Sequence, residues 1–233
     1  MKTTLLIAAL NEVQGMKVIL PRINPDWVDE ILVIDGGSTD GSFEYAQSLG
    51  FKTLRQRSKG LIPSYWEALE VAMGDVIIPF SPDGNSIPEK IPELVRKMNE
   101  GYDMVIVSRY LNGAKSADDD LVSGFGNWMF TSMINILFGG HYTDTLVMFR
   151  AWKRELTKGF VLDPTLAGFE PQLSIECAKR KLKVAEIAGD EPARIGGITK
   201  KRTIVAGWAI LTLIFKEIFV PCPPISEMHQ LSR

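Results

Sequence analysis

Two oxygen-bearing side chains, Asp83 and Asn85, stand two residues apart in IIPFSPDGNS, where an apolar run gives way to a tight polar loop. Hard divalent cations take carboxylate and carbonyl oxygens, and Mg²⁺ keeps waters or substrate phosphates in its remaining positions. The loop therefore reads as a candidate metal site with a single fixed carboxylate. A second acid, Asp35, ends the apolar run in VIDGGSTDGS. A carboxylate at the end of a buried strand is costly unless hydrogen bonds reach it. Ser38 and Asp40 just beyond it read as a helix start. Asn11, in ALNE, stands where a helical pattern begins and is placed to cap that helix, with free amides nearby for a polar ligand. Asp144, in a loop, and Arg150, just past a predicted strand, complete the candidates in YTDTLVMFR.

A basic run adds a different chemistry. ARIGGITKKR carries Arg194, Lys200, Lys201 and Arg202 directly before the apolar TIVAGWAILTLIFKEIFVP. Only 13 residues of that segment precede Lys216, short of the roughly 18–20 that cross a bilayer. It is either a buried core helix or a helix lying in the membrane interface, and a basic, glycine-rich lead-in suits an anionic headgroup. Cations at a helix N-terminus oppose the helix dipole, which counts mildly against helix stability as their reason, and a solvated loop at a helix start is the other reading. The aspartates of SADDDLVSG (Ser116–Gly124) read as a solvated, mobile loop, because consecutive residues rarely converge on one ion.

These residues need elements to hold them. Runs at Thr4–Ala8, Glu30–Ile34, Phe51–Leu54, Asp75–Phe80 and Met104–Val107 are short and almost continuously apolar, as strands covered on both faces are. Helical patterns lie between them at Glu12–Leu20, Thr39–Leu49, Ser64–Met73 and Glu89–Asn99. This alternation predicts an α/β fold with a mostly parallel sheet sandwiched by helices. Ligands bind such sheets at the carboxyl ends of the strands, which brings the loops after Ala8, Ile34 and Phe80 to one edge. Further on, the patterns predict a helix at Phe125–Phe138, with Asn127, Thr131 and Asn135 along one face, and a strand at Leu146–Phe149. A helix at Glu170–Lys181 and a strand at Lys183–Ile187 follow.

The chain has 233 residues, 45% of them apolar, and a net charge of −2, so nothing global favours nucleic acid. Two cysteines, Cys177 and Cys222, fit neither a metal spacing nor a disulfide framework, which predicts a reducing compartment. The apolar stretch in MKTTLLIAALNE is too short for a signal peptide and reads as a first strand.

The ordered set ALNE, EILVIDGGSTDGS, GDVIIPFSPDGNSIPEKIPEL, SRY and DTLVMFRAWKRE resembles the inverting family 2 glycosyltransferases of GT-A fold. Within them it is similar to the dolichol-phosphate mannose synthase-like, polyprenyl-phosphate group. The resemblance covers Thr4 to about Arg202. It implies a glycosyltransferase domain over 1–202, with a nucleotide-sugar half (1–110) and an acceptor half (111–202), followed by the apolar helix and tail of 203–233. It also implies a nucleotide-sugar donor, with Ala9, Asn11, Glu12 and Asp35 lining the nucleoside pocket. Ser81 and Asp83 would meet the rest of the donor, and Asp83 and Asn85 would hold Mg²⁺ or Mn²⁺.

The chain departs from the family at three places. The family's acidic loop usually reads Asp-x-Asp, and here Ser81 replaces the first acid; Gly36 stands where another Asp is common; Val147-Met148 replaces Ser-Gly. Losing one carboxylate weakens a metal site without abolishing it, since a diphosphate brings its own charge. A lipid phosphate acceptor is already anionic and needs cations, for which Arg109, Arg150, Arg194, Lys200 and Arg202 are candidates. A hydroxyl acceptor would instead need Asp144 or Glu170 to take its proton. The favoured expectation is a cytoplasmic enzyme, peripheral at the inner face of a membrane, that transfers a sugar to a polyprenyl phosphate. Transfer to a glycan hydroxyl, sugar-nucleotide binding without catalysis, and self-association are left open.

Overall fold

Seven strands form one sheet in the order β3-β2-β1-β4-β6-β5-β7. The structure is a computed structural model, and it describes residues 1–117, 119–157, 168–195 and 203–221. The strands are β1 (Thr3–Ala9), β2 (Glu30–Asp35), β3 (Lys52–Arg55), β4 (Val76–Phe80), β5 (Met104–Ser108), β6 (Arg150–Lys153) and β7 (Val184–Ala188). Every pairing is parallel except those of β6, which runs antiparallel between β4 and β5. The helices are α1 (Val13–Ile19), α2 (Ser42–Ser48), α3 (Leu61–Val71), α4 (Ile91–Asn99), α5 (Leu121–Phe138), α6 (Phe169–Lys179) and α7 (Thr203–Phe219).

β4 and β5 are buried along their whole length and β1 everywhere but at Ala8, which is why they read as apolar runs without alternation. Near the start of β1 and β2 the buried polar groups are paired. Thr4 donates to Glu30 at 2.6 Å, and Lys52 donates to the same carboxylate at 2.7 Å. Burial works against the Glu30 charge, but Lys52, the Met73 amide and Thr4 together hold its carboxyl below the ordinary range.

One predicted strand is displaced. Leu146–Phe149 is not extended ladder, and the strand begins at Arg150. The physical reason is local competition for the backbone. The Leu146 and Val147 amides donate to Asp144, and the carbonyls of Thr145 and Val147 are taken by the Arg150 guanidinium. Helix α5 also starts earlier than the apolar pattern suggests, because Asp120 caps it by accepting from the Ser123 amide at 2.7 Å.

Two glycines matter to the edge that follows. A Cβ on Gly15 would lie 2.9 Å from the Asp83 Cα, so the bare backbone lets α1 pack against the loop after β4. Gly84, in that loop, has φ +95°, a region that favours glycine.

Candidate active site

Ala8 near the end of β1 and the loops after β4 and β5 border a cavity of about 220 Å³, closed on the far side by Val147–Phe149 and by Gly189–Glu191 and Arg194. Ser81, Asp83 and Asn85 all line it. Asp83 is buried, with Oδ1 accepting from the Asn85 amide at 3.2 Å. Its Oδ2 lies 2.6 Å from Arg194 Nη2, and Arg194 Nη1 lies 3.6 Å from a Glu12 carboxylate oxygen. The backbone joins in, because the Ile195 amide donates to the Asp83 carbonyl at 2.6 Å. Arg194, expected at an acceptor phosphate, is thus found on the candidate metal loop. Lys200, Lys201 and Arg202 lie outside the described residues.

The loop offers oxygen ligands of the right kind for Mg²⁺ or Mn²⁺: the Asp83 carboxylate, the Asn85 amide oxygen and the Ser81 hydroxyl. It offers only one acid, however. No cluster of three or more His, Cys, Asp or Glu side chains suited to a metal occurs among the described residues. The fit is that of a partial site, one that a ligand's phosphates would have to complete.

Beside this cavity, Ala9 and Asp35 are register partners at the ends of β1 and β2. Asp35 is fully buried. Its Oδ2 accepts from the Gly37 and Ser38 amides at 2.9 and 3.0 Å, and Arg55 Nη1 lies 3.5 Å away. Its Oδ1 is buried with no hydrogen-bond partner among the described residues. A buried carboxylate oxygen left unpaired is expensive, so this atom points to a ligand that donates to it.

Asn11 does not cap α1. It adopts φ +57°, and its Oδ1 accepts from the Thr39 amide at 2.9 Å, tying the loops after β1 and β2 together. Nor are the first amides of this turn free for a ligand. Ser42 Oγ accepts from Glu12 and Asp40 from Val13, both across from the neighbouring loop. Ser38 and Asp40 precede α2, which begins at Ser42, with Asp40 accepting from the Ser42 amide and hydroxyl.

Asp144 is fully buried and lines neither cavity described here. Arg109 grips it through Nε at 2.7 Å and Nη2 at 3.1 Å. Glu191 and Asp119 approach the same guanidinium at 3.2 and 3.5 Å. Burial alone would pull Arg109 down, yet Asp144, Glu191 and Asp119 outweigh it and hold the guanidinium above its ordinary value. Its charge is therefore already matched by three carboxylates, which counts against a simple role in capturing an acceptor phosphate. The aspartate-rich loop is not merely solvated either: Asp119 also accepts from the Tyr110 hydroxyl.

Arg150 does not reach the cavity. It is fully buried and donates to the carbonyls of Thr145, Val147 and Glu170 and to Ser174 Oγ. Burial pulls its guanidinium below its ordinary value. Burial also raises the carboxyl of Glu170, against the opposing charge of Arg150. These contacts make Arg150 a positioning residue that fixes the loop after Asp144, not a group that can meet a substrate. Glu170, at the start of α6, lines neither cavity.

The polar row on α5 holds the other side of that loop. Asn135 donates to the Tyr142 carbonyl and accepts from its amide, both at 2.9 Å, and Thr131 pairs with Thr145 at 2.9 Å. Glu186 accepts from the Thr143 and Asp144 amides, and burial pushes its carboxyl up despite those bonds. Sequence reasoning missed Glu186 and Glu191. Both lie on or just past β7, and the strand-end rule applied to that strand points at Gly189–Glu191.

A second cavity, of about 230 Å³, lies between α5 and α7, bordered by Val122, Gly126, Phe130, Gly207 and Ile210. Arg109 lines it as well as the first, so the two meet at one guanidinium. Asn127, also on its wall, has a buried Oδ1 with no partner among the described residues. On the outer sides of the same helices Leu121, Phe125, Trp128, Ile136, Val205, Trp208 and Phe219 are exposed. By length and composition, α5 is the one helix among the described residues long and apolar enough to cross a membrane.

A mostly parallel sheet with its cavity at the strand ends, a one-acid loop after β4 and an orphaned carboxylate oxygen at the end of β2 define a GT-A nucleotide-sugar fold. The chain belongs to glycosyl transferase family 2, whose family model matches residues 6–160. It is 27% identical over 184 residues to glycosyltransferase AglJ of Haloferax volcanii, covering 78% of this chain and 60% of that protein. It is 28% identical over 206 residues to a dolichol-phosphate mannosyltransferase of Pyrococcus furiosus, covering 80% of this chain and 55% of that one. An undecaprenyl-phosphate mannosyltransferase of Micrococcus luteus is 24% identical over 227 residues, with 91% of this chain and 93% of that protein covered. The chain thus spans little more than half the length of the first two relatives and nearly all of the third. Among solved structures, glucosyl-3-phosphoglycerate synthase of Mycobacterium tuberculosis, in complex with Mn²⁺, UDP and phosphoglyceric acid, superposes with a TM-score of 0.74 at 20% identity. That match covers 94% of this chain and 79% of the other, and it shows the shared fold.

Proposed function

We propose that the protein transfers a sugar from a nucleotide-sugar donor to a polyprenyl phosphate, with inversion at the anomeric carbon, while resting on the cytoplasmic face of a membrane. One observation carries this reading: the polar cavity beside Asp83 and the apolar cleft between α5 and α7 meet at Arg109. A polar donor and an apolar acceptor would approach each other there from opposite sides. The relatives named for polyprenyl-phosphate and dolichol-phosphate transfer support the same acceptor class.

In this mechanism the Asp35 Oδ1 accepts a hydrogen bond from the base or ribose, and the Ala9 backbone edge flanks it. Asp83 and Asn85 would hold a Mg²⁺ or Mn²⁺ ion, which supplies positive charge to the leaving diphosphate. Ser81 faces the same space without charge. An anionic lipid phosphate needs no base to remove a proton, consistent with Asp144 being buried and fully engaged by Arg109 and two amides. Arg109 fixes the boundary of the two cavities. The exposed apolar side chains of α5 and α7 would enter the lipid boundary.

The test is transfer of radiolabelled sugar from a panel of UDP-, GDP-, CDP- and dTDP-sugars to polyprenyl phosphate in vesicles, against glycan acceptors. Label entering the lipid fraction only when polyprenyl phosphate is present supports the reading. Transfer to glycans alone would replace it, and binding without turnover would leave a sugar-nucleotide binding protein.

A further inference from the structure

Asp83 is a buried carboxylate claimed twice, once by Arg194 in the structure and once by the cation of the proposed reaction. We propose that Arg194 and a divalent cation are alternative occupants of the Asp83 carboxylate, so that the metal loop is closed by the chain's own cation until a donor diphosphate draws Arg194 away. This rests on the nucleotide-sugar reading above and adds to it an order of events at Asp83.

The pairing is built by the backbone as well as by the side chain. Arg194 Nη2 sits 2.6 Å from Oδ2, while Oδ1 is engaged by the Asn85 amide. One residue on, the Ile195 amide donates to the Asp83 carbonyl at 2.6 Å. A Cβ on Gly84 would stand 2.7 Å from the Ile195 side chain, so this segment lies directly on the turn. Arg194 is thus seated on the loop from two consecutive residues.

Charge makes the two occupants exclude one another. With Ser81 in place of an acid, the loop carries one negative charge, and Glu12, 3.6 Å from Arg194, is the next nearest acid recorded for that guanidinium. A guanidinium already neutralises Asp83. A divalent ion brought to the same oxygen would meet like charge at close range in a buried site, where screening is weak. A diphosphate changes the balance because its oxygens can take Arg194 and complete the metal's ligands together. Arg194 is ready for such a partner: its Nε is buried and has no acceptor among the described residues. Metal and nucleotide diphosphate should therefore bind cooperatively, with Arg194 as the source of the coupling.

Binding of Mn²⁺ to the full chain, followed by paramagnetic resonance of the free ion, tests this directly. Arg194→Gln and Arg194→Ala should bind Mn²⁺ alone more tightly than the parent, on the order of 5- to 150-fold, the usual range of such couplings. The tightening of Mn²⁺ binding by UDP or by GDP should shrink in the same variants, and Asp83→Asn should bind the ion in neither setting. Circular dichroism checks that each variant is folded, and the glutamine variant preserves most of the packing should the alanine one fail. If Mn²⁺ binding is lost in Asp83→Asn but equally tight in the parent and the Arg194 variants, exclusion is wrong while Asp83 remains the metal ligand. If no form binds Mn²⁺ with or without nucleotide, or if Asp83→Asn still binds it, the metal reading itself fails and takes this inference with it.

Discussion

Arg109 and Asp144 form a two-point fork, Nε to Oδ2 at 2.7 Å and Nη2 to Oδ1 at 3.1 Å, at the place where the two cavities meet. Fork geometry of this kind is specific to arginine. Arg109→Met would leave Asp144 buried without its cation and would also remove the cation that Asp119 and Glu191 share. The expected cost is about 3–5 kcal/mol of stability, the usual penalty for breaking a buried pair from one side. Arg109→Lys should recover only part of it. Urea unfolding of the two variants checks both statements.

At the nucleoside edge, Asp35→Asn should weaken nucleotide binding by about 1.5–3 kcal/mol, the range for a hydrogen bond to a charged group. The Oδ1 that lacks a partner is the atom proposed to receive the ligand's donor. Titration calorimetry that finds unchanged affinity in a folded variant would remove Asp35 from the donor site.

Ser81→Asp should tighten Mn²⁺ binding without raising turnover, because ground-state affinity alone does not lower the barrier. Ser81→Ala should leave Mn²⁺ affinity close to the parent's. A changed donor preference in Ser81→Ala, at constant metal affinity, would show instead that the hydroxyl meets the sugar.

Glu186 predicts a pH effect whose sign can be worked out. Burial raises its folded carboxyl pKa above the unfolded value. Its contribution to stability is therefore fully present below the unfolded pKa and is lost as pH rises through the folded one. Glu186→Gln can still accept from the Thr143 and Asp144 amides but cannot ionise. Relative to the parent, that variant should gain melting temperature between acidic and neutral pH. A difference that shrinks or reverses as pH rises would contradict the assignment.

The exposed apolar side chains give a membrane prediction free of folding effects. Trp208→Ser with Phe219→Ser should reduce co-sedimentation with anionic vesicles and leave the melting temperature almost unchanged, since both rings are exposed. A parent chain that never sediments with vesicles would make this surface a contact with another protein.

The parallel core and its site edge were legible because buried strands leave continuous apolar runs and their ends leave polar loops. Asp83 and Asn85 could be placed at that edge from this alone, whereas only the family resemblance singles out Ser81. The position of β6 could not be read in the same way. LVMFR is apolar enough for a strand, but Asp144 and Arg150 take its backbone groups from either end, a competition invisible to periodicity. The roles of Arg194 and Arg150 were hidden for a related reason. A long cationic side chain reveals its partner only when distant segments meet, as Arg194 and Asp83 do across 111 positions. The row Asn127, Thr131 and Asn135 was visible as spacing, whereas the loop that Thr131 and Asn135 grip was not.

The antiparallel β6 has a consequence for how the chain must be made. β5 reaches β4 only through β6, whose residues are Arg150–Lys153. During synthesis the ribosome delivers β5 more than forty residues before the strand that will join it to the rest. Until then Met104–Ser108 has two bare edges, whereas β3, β2, β1 and β4 already pair with one another. The two sides of the sheet are therefore joined only once the middle of the chain has been made, and β5 with its unpaired edges is the strand left waiting for it.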